Sequence, residues 1–384
     1  MNKKFSRATI YILTFFFTLH LTPAIYINSS YLSEYINPEY VGFIYTFASI
    51  VTILSLIGIR KVIKRIGNFQ TILSVLSIEF ISLLTLAFSH NSHLVIAAFI
   101  LTFVATSVTF FNLDIFLESL SEDKSTGGTR GVFLTSLNTA FFIGPLISGL
   151  LIEGENFWKV YLSGAILLVP VFYILIRYMK DFVDPVYKKP HLLKAVGKIY
   201  NDSSLRSIFS SVFILRFFFS WMIIYIPIFL HNEIGFTLSE TSLIIGIALI
   251  PFMLLEAPLG KIADKYIGEK EILTAGFIIT ALSTMFISFV DVKIFWLWAI
   301  ILFTTRIGAS MIEVMTETYI FKKIDGTSID VVSFFRMVRP TAYIASPIIA
   351  SLLLIHIDFK YIFLILGAIV LYGIRYSLVL KDTK

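Results

Sequence analysis

The chain has no cysteine among its 384 residues, and charged residues make up only 15% of it. The lack of cysteine excludes disulfides, thiolate metal sites and cysteine nucleophiles. Soluble domains carry about 25% charged residues, so the low charge content argues against a soluble protein. Hydrophobic residues instead make up 57% of the chain, and 38 residues are phenylalanine. This composition is typical of a membrane protein.

Two further absences limit the chemistry of the chain. No segment has the pattern G-x-x-x-x-G-K-S/T, which argues against ATP hydrolysis within the chain. The histidines are scattered, and no carboxylate follows His90 and His93 to complete a metal or acid–base site. We therefore predict no metal, no cofactor and no enzymatic activity.

Long apolar runs recur along the whole chain. About 20 apolar residues, at a rise of 1.5 Å each, span a hydrocarbon core of about 30 Å. The predicted spans are 8–28, 39–59, 71–88, 94–117, 130–152, 159–178, 208–230, 239–259, 271–290, 294–320, 333–355 and 359–379. We predict an all-α polytopic membrane protein with twelve transmembrane helices in two pseudo-symmetric six-helix bundles. The bundles cover 1–178 and 208–384, and a polar central loop covers 179–207.

The two halves repeat one another at a spacing of about 200 residues. The repeated features are Phe15-Phe16-Phe17 with Phe217-Phe218-Phe219, Gly67 with Gly268, and Gly144-Pro145 with Ser346-Pro347. Internal repeats of this size are common in secondary transporters. In these proteins, two similar bundles move against one another and open a central site to one side of the membrane at a time. The repeat therefore predicts a transporter.

Lysine and arginine lie mainly on one side of the predicted membrane. The even-numbered connections and the chain ends hold most of them, whereas the other side has only Lys159, Lys293 and Lys360. This bias predicts a multi-pass protein of the cell (inner or plasma) membrane with both termini in the cytoplasm. It also explains the net charge of +6 without a nucleic-acid partner.

The loop after the eighth span holds the most specific motif. Its sequence from Gly260 to Lys270 resembles the signature loop of the major facilitator superfamily, G-x-x-x-D-R/K-x-G-x-R/K. The resemblance extends to the twelve spans, the repeat and the central loop. It implies a cytoplasmic gate motif, formed here by Gly260, Asp264, Lys265, Gly268 and Lys270. The first-half copy, from Gly58 to Gly67, has Ile63 in place of the aspartate.

A second motif lies in the fifth span. Gly144, Pro145 and Gly149 partly match the glycine-proline motif that proton antiporters of this family carry in that helix. We predict that these residues kink the helix.

Ionisable residues inside spans are costly and normally have a partner or a function. We predict substrate or proton-coupling roles for Arg216, Arg306, Glu313, Glu256, His20 and Asn138, and cytoplasmic gate salt bridges for Glu317, Arg336, Arg339 and Asp114. Arg306 and Glu313 share a helix face because they are seven residues apart. For Glu79 in the third span, two interpretations stay open: a proton site, or a local hydrogen bond to a neighbour.

Within the transporter class we expect proton-coupled export of an amphipathic or aromatic compound by a monomer. The glycine-proline motif, the aromatic content and the intramembrane carboxylates favour this interpretation. The alternatives are uptake of a polar or anionic metabolite, which the intramembrane arginines would suit, or a sensor that has kept the transporter fold. The expected partners are a small solute, protons or another coupling ion, and the lipid bilayer.

Overall fold

The computed structural model of the protein describes residues 6–119, 126–152, 156–184, 192–265, 268–323 and 329–380. Within these residues the regular structure is entirely helical, in sixteen α-helices and two short π-helical turns. The chain divides into two compact units, Met1–Lys188 and Lys189–Lys384.

The first unit contains seven α-helices and one π-helical turn in its described part. They are α1 (Arg7–Ile25), α2 (Asn28–Ser33), α3 (Pro38–Ile66), α4 (Asn68–Phe88), α5 (Ser92–Ser119), α6 (Thr126–Leu151) and α7 (Trp158–Ile174), with the π turn Leu175–Met179.

The second unit contains nine α-helices and one π-helical turn in its described part. They are α8 (Leu192–Asn201), α9 (Ser203–Ile228) with the π turn Phe229–Glu233, α10 (Leu238–Ala248), α11 (Ile250–Lys265), α12 (Glu269–Ile287), α13 (Phe295–Lys323), α14 (Ile329–Leu354), α15 (Tyr361–Tyr372) and α16 (Ile374–Val379). Helix α8 lies within the stretch that the sequence predicts as a polar central loop.

Eleven helical stretches in the described residues are long and apolar enough to cross a membrane, and a shorter apolar helix covers Ser136–Leu151. Many large apolar side chains on these helices are exposed; Leu150, for example, is 80% exposed and Leu54 is 63% exposed. Exposed apolar surface on this scale fits contact with lipid rather than water. The prediction of an all-α polytopic membrane protein is confirmed.

Polar residues set several helix ends. The Asp202 carboxylate accepts hydrogen bonds from the backbone N–H groups of Ser204 and Leu205 and so caps α9. Gly67 and Gly268 precede α4 and α12 with φ angles of 84° and 104°. Residues with a side chain rarely adopt such φ angles, so glycine is favoured at this position in both halves of the chain.

Close helix contacts in each unit depend on glycine. A Cβ at Gly144 on α6 would lie 2.6 Å from the backbone carbonyl carbon of Thr22 on α1. In the second unit, a Cβ at Gly276 on α12 would lie 2.9 Å from the carbonyl oxygen of Gly308 on α13. In both places a side chain would force the helices apart.

Candidate functional site

A buried polar cluster joins three helices of the first unit. The Nε2 atom of His20 on α1 lies 3.1 Å from Oε1 of Glu79 on α4. The hydroxyl of Thr106 on α5 donates a hydrogen bond of 2.5 Å to the same oxygen. His20 is 1% exposed and Glu79 is fully buried, so water does not solvate either group in this conformation.

The hydrogen bonds of His20 define how many protons the pair holds. Its Nδ1 atom bonds to the backbone carbonyl oxygen of Phe17. A carbonyl oxygen only accepts, so Nδ1 must carry a hydrogen. The bond between Nε2 and Oε1 then needs one more proton, held either on His20 as imidazolium or on Glu79 as carboxylic acid. This proton belongs to the pair rather than to one residue.

Without that proton, the hydrogen bond between Nε2 of His20 and Oε1 of Glu79 could not form. Two lone pairs would then face one another, and a net negative charge would remain buried. The second carboxyl oxygen of Glu79, Oε2, is also buried and has no hydrogen-bond partner among the described residues. The His20–Glu79 pair is therefore built to hold one proton while the surrounding helices stay packed.

A second cluster lies in the second unit and is partly exposed. The guanidinium of Arg216 on α9 lies 2.9 Å from the Glu313 carboxylate on α13 and 3.9 Å from that of Glu317. The side chains of Arg216 and Glu313 are each 20% exposed, and that of Glu317 is 30% exposed. This exposure leaves room for a ligand to reach the carboxylates.

Aromatic rings line the same cluster. The Phe219 ring lies 5.6 Å from the guanidinium carbon of Arg216 and 5.9 Å from that of Arg306 on α13. Arg306, which is 4% exposed, also lies 5.3 Å from the Phe218 ring. The Phe252 ring on α11 packs against Phe219 at 5.8 Å. Cations are attracted to aromatic faces at such distances, so the rings stabilise the two arginines.

The structure thus brings together some of the residues that the sequence singled out. One cluster contains Arg216, Arg306 and Glu313. Glu317, which was predicted to form a gate salt bridge, also lies in this cluster. His20 belongs to the separate cluster in the first unit. The sequence did not predict its pairing with Glu79 or the contacts of Thr106 and Phe219.

The side chains of three other predicted residues are also described. Asp114 on α5 and Asn138 on α6 are half-buried, and Arg339 on α14 is exposed over the Tyr343 ring at 5.8 Å. Gly268 and Lys270 lie at the start of α12. The side chains or contacts of Glu256, Gly260, Asp264, Lys265 and Arg336 lie outside the described part of the structure.

The glycine-proline motif of α6 faces α1. Gly144 and Gly149 are buried, and α6 continues through Pro145 to Leu151. Next to the motif, the Thr22 hydroxyl of α1 donates a 3.0 Å hydrogen bond to the Ala140 carbonyl oxygen of α6. In the second unit the Tyr225 hydroxyl of α9 similarly donates to the Pro347 carbonyl oxygen of α14 at 3.1 Å.

Metal binding finds no support in the part of the chain that the structure describes. No group of three or more histidine, aspartate or glutamate side chains there could hold a metal ion.

Comparisons with known proteins agree with the helical architecture. Residues 208–382 match the family model of the Major Facilitator Superfamily. Two curated relatives are the Multidrug resistance protein MdtG of Salmonella heidelberg, 25% identical over 262 residues, and that of Escherichia fergusonii, 26% identical over 262 residues. Each match covers 66% of this chain and only 61% or 60% of the relative's length.

Solved structures share the fold over nearly the whole chain. The nucleoside transporter NupG has a TM-score of 0.73 and 15% identity, and covers 97% of this chain and 98% of its own. An auto-inhibited POT family peptide transporter has a TM-score of 0.78 and 10% identity, with 98% of both chains covered. At these identities the likeness concerns the fold alone. The family model covers less than half of this chain; together with the curated relatives, it supports the resemblance of the signature loop to the major facilitator superfamily.

Proposed function

We propose that this chain is a secondary active transporter that exports an amphipathic aromatic compound in exchange for protons. The observation that carries the proposal is the His20–Glu79 pair, because its hydrogen bonds require one proton in a fully buried site. A residue pair that binds one proton in one conformation and releases it in another is what proton coupling needs.

The proposed solute site is the cluster around Arg216. Its two carboxylates, on Glu313 and Glu317, would attract a positively charged solute, and the rings of Phe219 and Phe252 would pack against an aromatic one. Glu317 is the better candidate for a direct contact with the solute, because it is the more exposed carboxylate and lies farther from Arg216.

The same contacts argue against uptake of an anionic metabolite. Such a solute would need an arginine that is available to bind its carboxylate or phosphate. Arg216 is instead neutralised by Glu313 at 2.9 Å. The curated relatives are named multidrug resistance proteins. Because export of a compound confers resistance to it, we propose export for this chain.

The remaining assignments follow from the resemblance to the family and stay part of the proposal. We assign Gly260, Asp264, Lys265, Gly268 and Lys270 to a cytoplasmic gate. Both termini would lie in the cytoplasm, and one chain would be sufficient for transport.

Flux into proteoliposomes tests the proposal. In acid-inside vesicles, we expect the aromatic cation ethidium to accumulate as protons leave, and a protonophore should abolish the accumulation. The aromatic anion benzoate is the matched control and should not accumulate above the level of protein-free vesicles. If ethidium does not accumulate in acid-inside vesicles and benzoate instead accumulates in acid-outside vesicles, where inward proton flow would drive its uptake, the uptake alternative is supported and the proposal is contradicted.

A further inference from the structure

A large groove runs along one side of the second unit. It has a volume of about 820 Å³ and is bordered by α8, α9, α14, α15 and α16. This volume lies in the range of about 300–1,000 Å³ that is common for ligand sites. Most of its wall is apolar, including Phe209, Phe213, Ile214, Met337, Ile365 and Ile369.

The polar groups gather at one end of this groove. Arg206 lies in the first turn of α9, where it is exposed and lines the groove. Tyr372 and Tyr376 line the groove near the end of the chain, and exposed Arg375 donates a 2.8 Å hydrogen bond to the Tyr372 hydroxyl. Two guanidinium groups therefore mark this end, whereas the apolar wall continues deeper along α9 and α15.

Helix α8 borders the groove next to Arg206, at its polar end. Its Ile199 is buried and lines the groove, whereas Val196 and Tyr200 are 43% and 70% exposed. The Arg206 guanidinium donates a 3.1 Å hydrogen bond to the Tyr200 carbonyl oxygen and lies 5.8 Å from the Tyr200 ring. Exposed aromatic residues and cations are typical of helices at the headgroup level.

We propose that this groove binds an anionic glycerophospholipid of the surrounding membrane. Its acyl chains lie against the apolar wall, and its phosphate contacts Arg206 and Arg375. A water-soluble solute would leave most of its polar groups unpaired along this wall, whereas a lipid matches both ends of the groove. The charge of the rim selects an anionic headgroup over a zwitterionic one.

Two variants test the site with one matched control. Arg206→Gln removes a cation from the rim, and Ala368→Trp fills the exposed middle of the groove. Arg177→Gln is the control, because Arg177 is an exposed arginine of the first unit at the same 5.8 Å from a tyrosine ring, that of Tyr178. Purified full-length protein in detergent is titrated with phosphatidylglycerol or phosphatidylcholine, and bound lipid is counted by native mass spectrometry.

We expect the native protein to bind phosphatidylglycerol more tightly than phosphatidylcholine. Loss of one cation near a phosphate should weaken phosphatidylglycerol binding about fivefold in Arg206→Gln. Ala368→Trp should retain one lipid fewer, with unchanged helicity by circular dichroism, and Arg177→Gln should match the native protein. Equal binding of both lipids to the native protein, or native-like binding by Arg206→Gln and Ala368→Trp, would overturn the proposal. Because no transport is measured, failure here leaves the proposed function untouched.

Discussion

At the scale of single residues, the two units contain different kinds of ionisable pair. In the first unit, His20 and Glu79 are shielded from water and share one proton. In the second unit, the partly exposed Arg216 and Glu313 form an ion pair at 2.9 Å. The Arg216 guanidinium is always protonated, so the second pair keeps its positive charge in any conformation. We therefore assign the proposed proton exchange to the first pair.

The ion pair should be visible in stability measurements. Arg216→Gln leaves the carboxylates of Glu313 and Glu317 without a counter-charge, and Glu313→Gln leaves Arg216 with only Glu317, at 3.9 Å. Each should lower the free energy of unfolding by about 1–3 kcal/mol. The double variant should lose less than the sum, with a coupling energy of about 0.5–3 kcal/mol. Thermal unfolding in detergent measures this, with Arg177→Gln as the exposed control. Strictly additive effects would show that the pair contributes nothing.

The sequence predicted these residues one by one and missed their contacts. His20 and Glu79 are 59 positions apart and lie on different helices. Their hydrogen bond depends on how α1 packs against α4. The spacing of residues along one helix does not predict such packing between helices. Arg306 and Glu313 were predicted to share a face because both lie on α13. Phe219 was one aromatic among 38 phenylalanines, so only the fold singles it out.

At the scale of helices, apolar runs predicted where spans lie better than where helices end. The span predicted from 208 begins at Ser203 as α9, because the Asp202 cap extends the helix through polar residues. Likewise α3 continues to Ile66, beyond the predicted end at 59. Hydropathy reports only the part of a helix that lies in the hydrocarbon. A search for long apolar runs therefore also misses α8, which is short and polar on one side.

The contact between α1 and α6 should be sensitive to one methyl group. Gly144→Ala places a Cβ against the Thr22 backbone and side chain, and we expect a loss of about 1–3 kcal/mol in unfolding free energy. Gly58→Ala on α3 is the control, because a Cβ there meets nothing within 4 Å. It should leave stability unchanged or raise it by up to about 1 kcal/mol. If both variants unfold at the native temperature, the close packing of α1 and α6 is not a stability determinant.

At the scale of the whole molecule, the proposed proton site and the proposed solute site belong to different units. His20 and Glu79 lie in Met1–Lys188, and the Arg216 cluster lies in Lys189–Lys384. The proposed coupling would therefore need both units of the chain.

The orientation of the chain can be tested because it contains no cysteine. Single cysteines are introduced at exposed Lys64, in the last turn of α3, and at exposed His90, which lies between α4 and α5. If the termini are cytoplasmic, a membrane-impermeant maleimide should label His90→Cys in intact cells. Lys64→Cys should react only after the cells are permeabilised, and the reverse pattern would invert the proposed topology.

Proton coupling through the buried pair is tested most directly by Glu79→Gln in proteoliposomes. Glutamine keeps the shape of the side chain and can donate from its amide nitrogen to Nε2 of His20, but it cannot give up a proton. We predict that ethidium accumulation driven by the pH gradient falls to the level of protein-free vesicles. Exchange of ethidium without a gradient should persist, and Arg177→Gln should behave as the native protein. Gradient-driven accumulation at the native rate in Glu79→Gln would contradict a proton-carrying role for this pair.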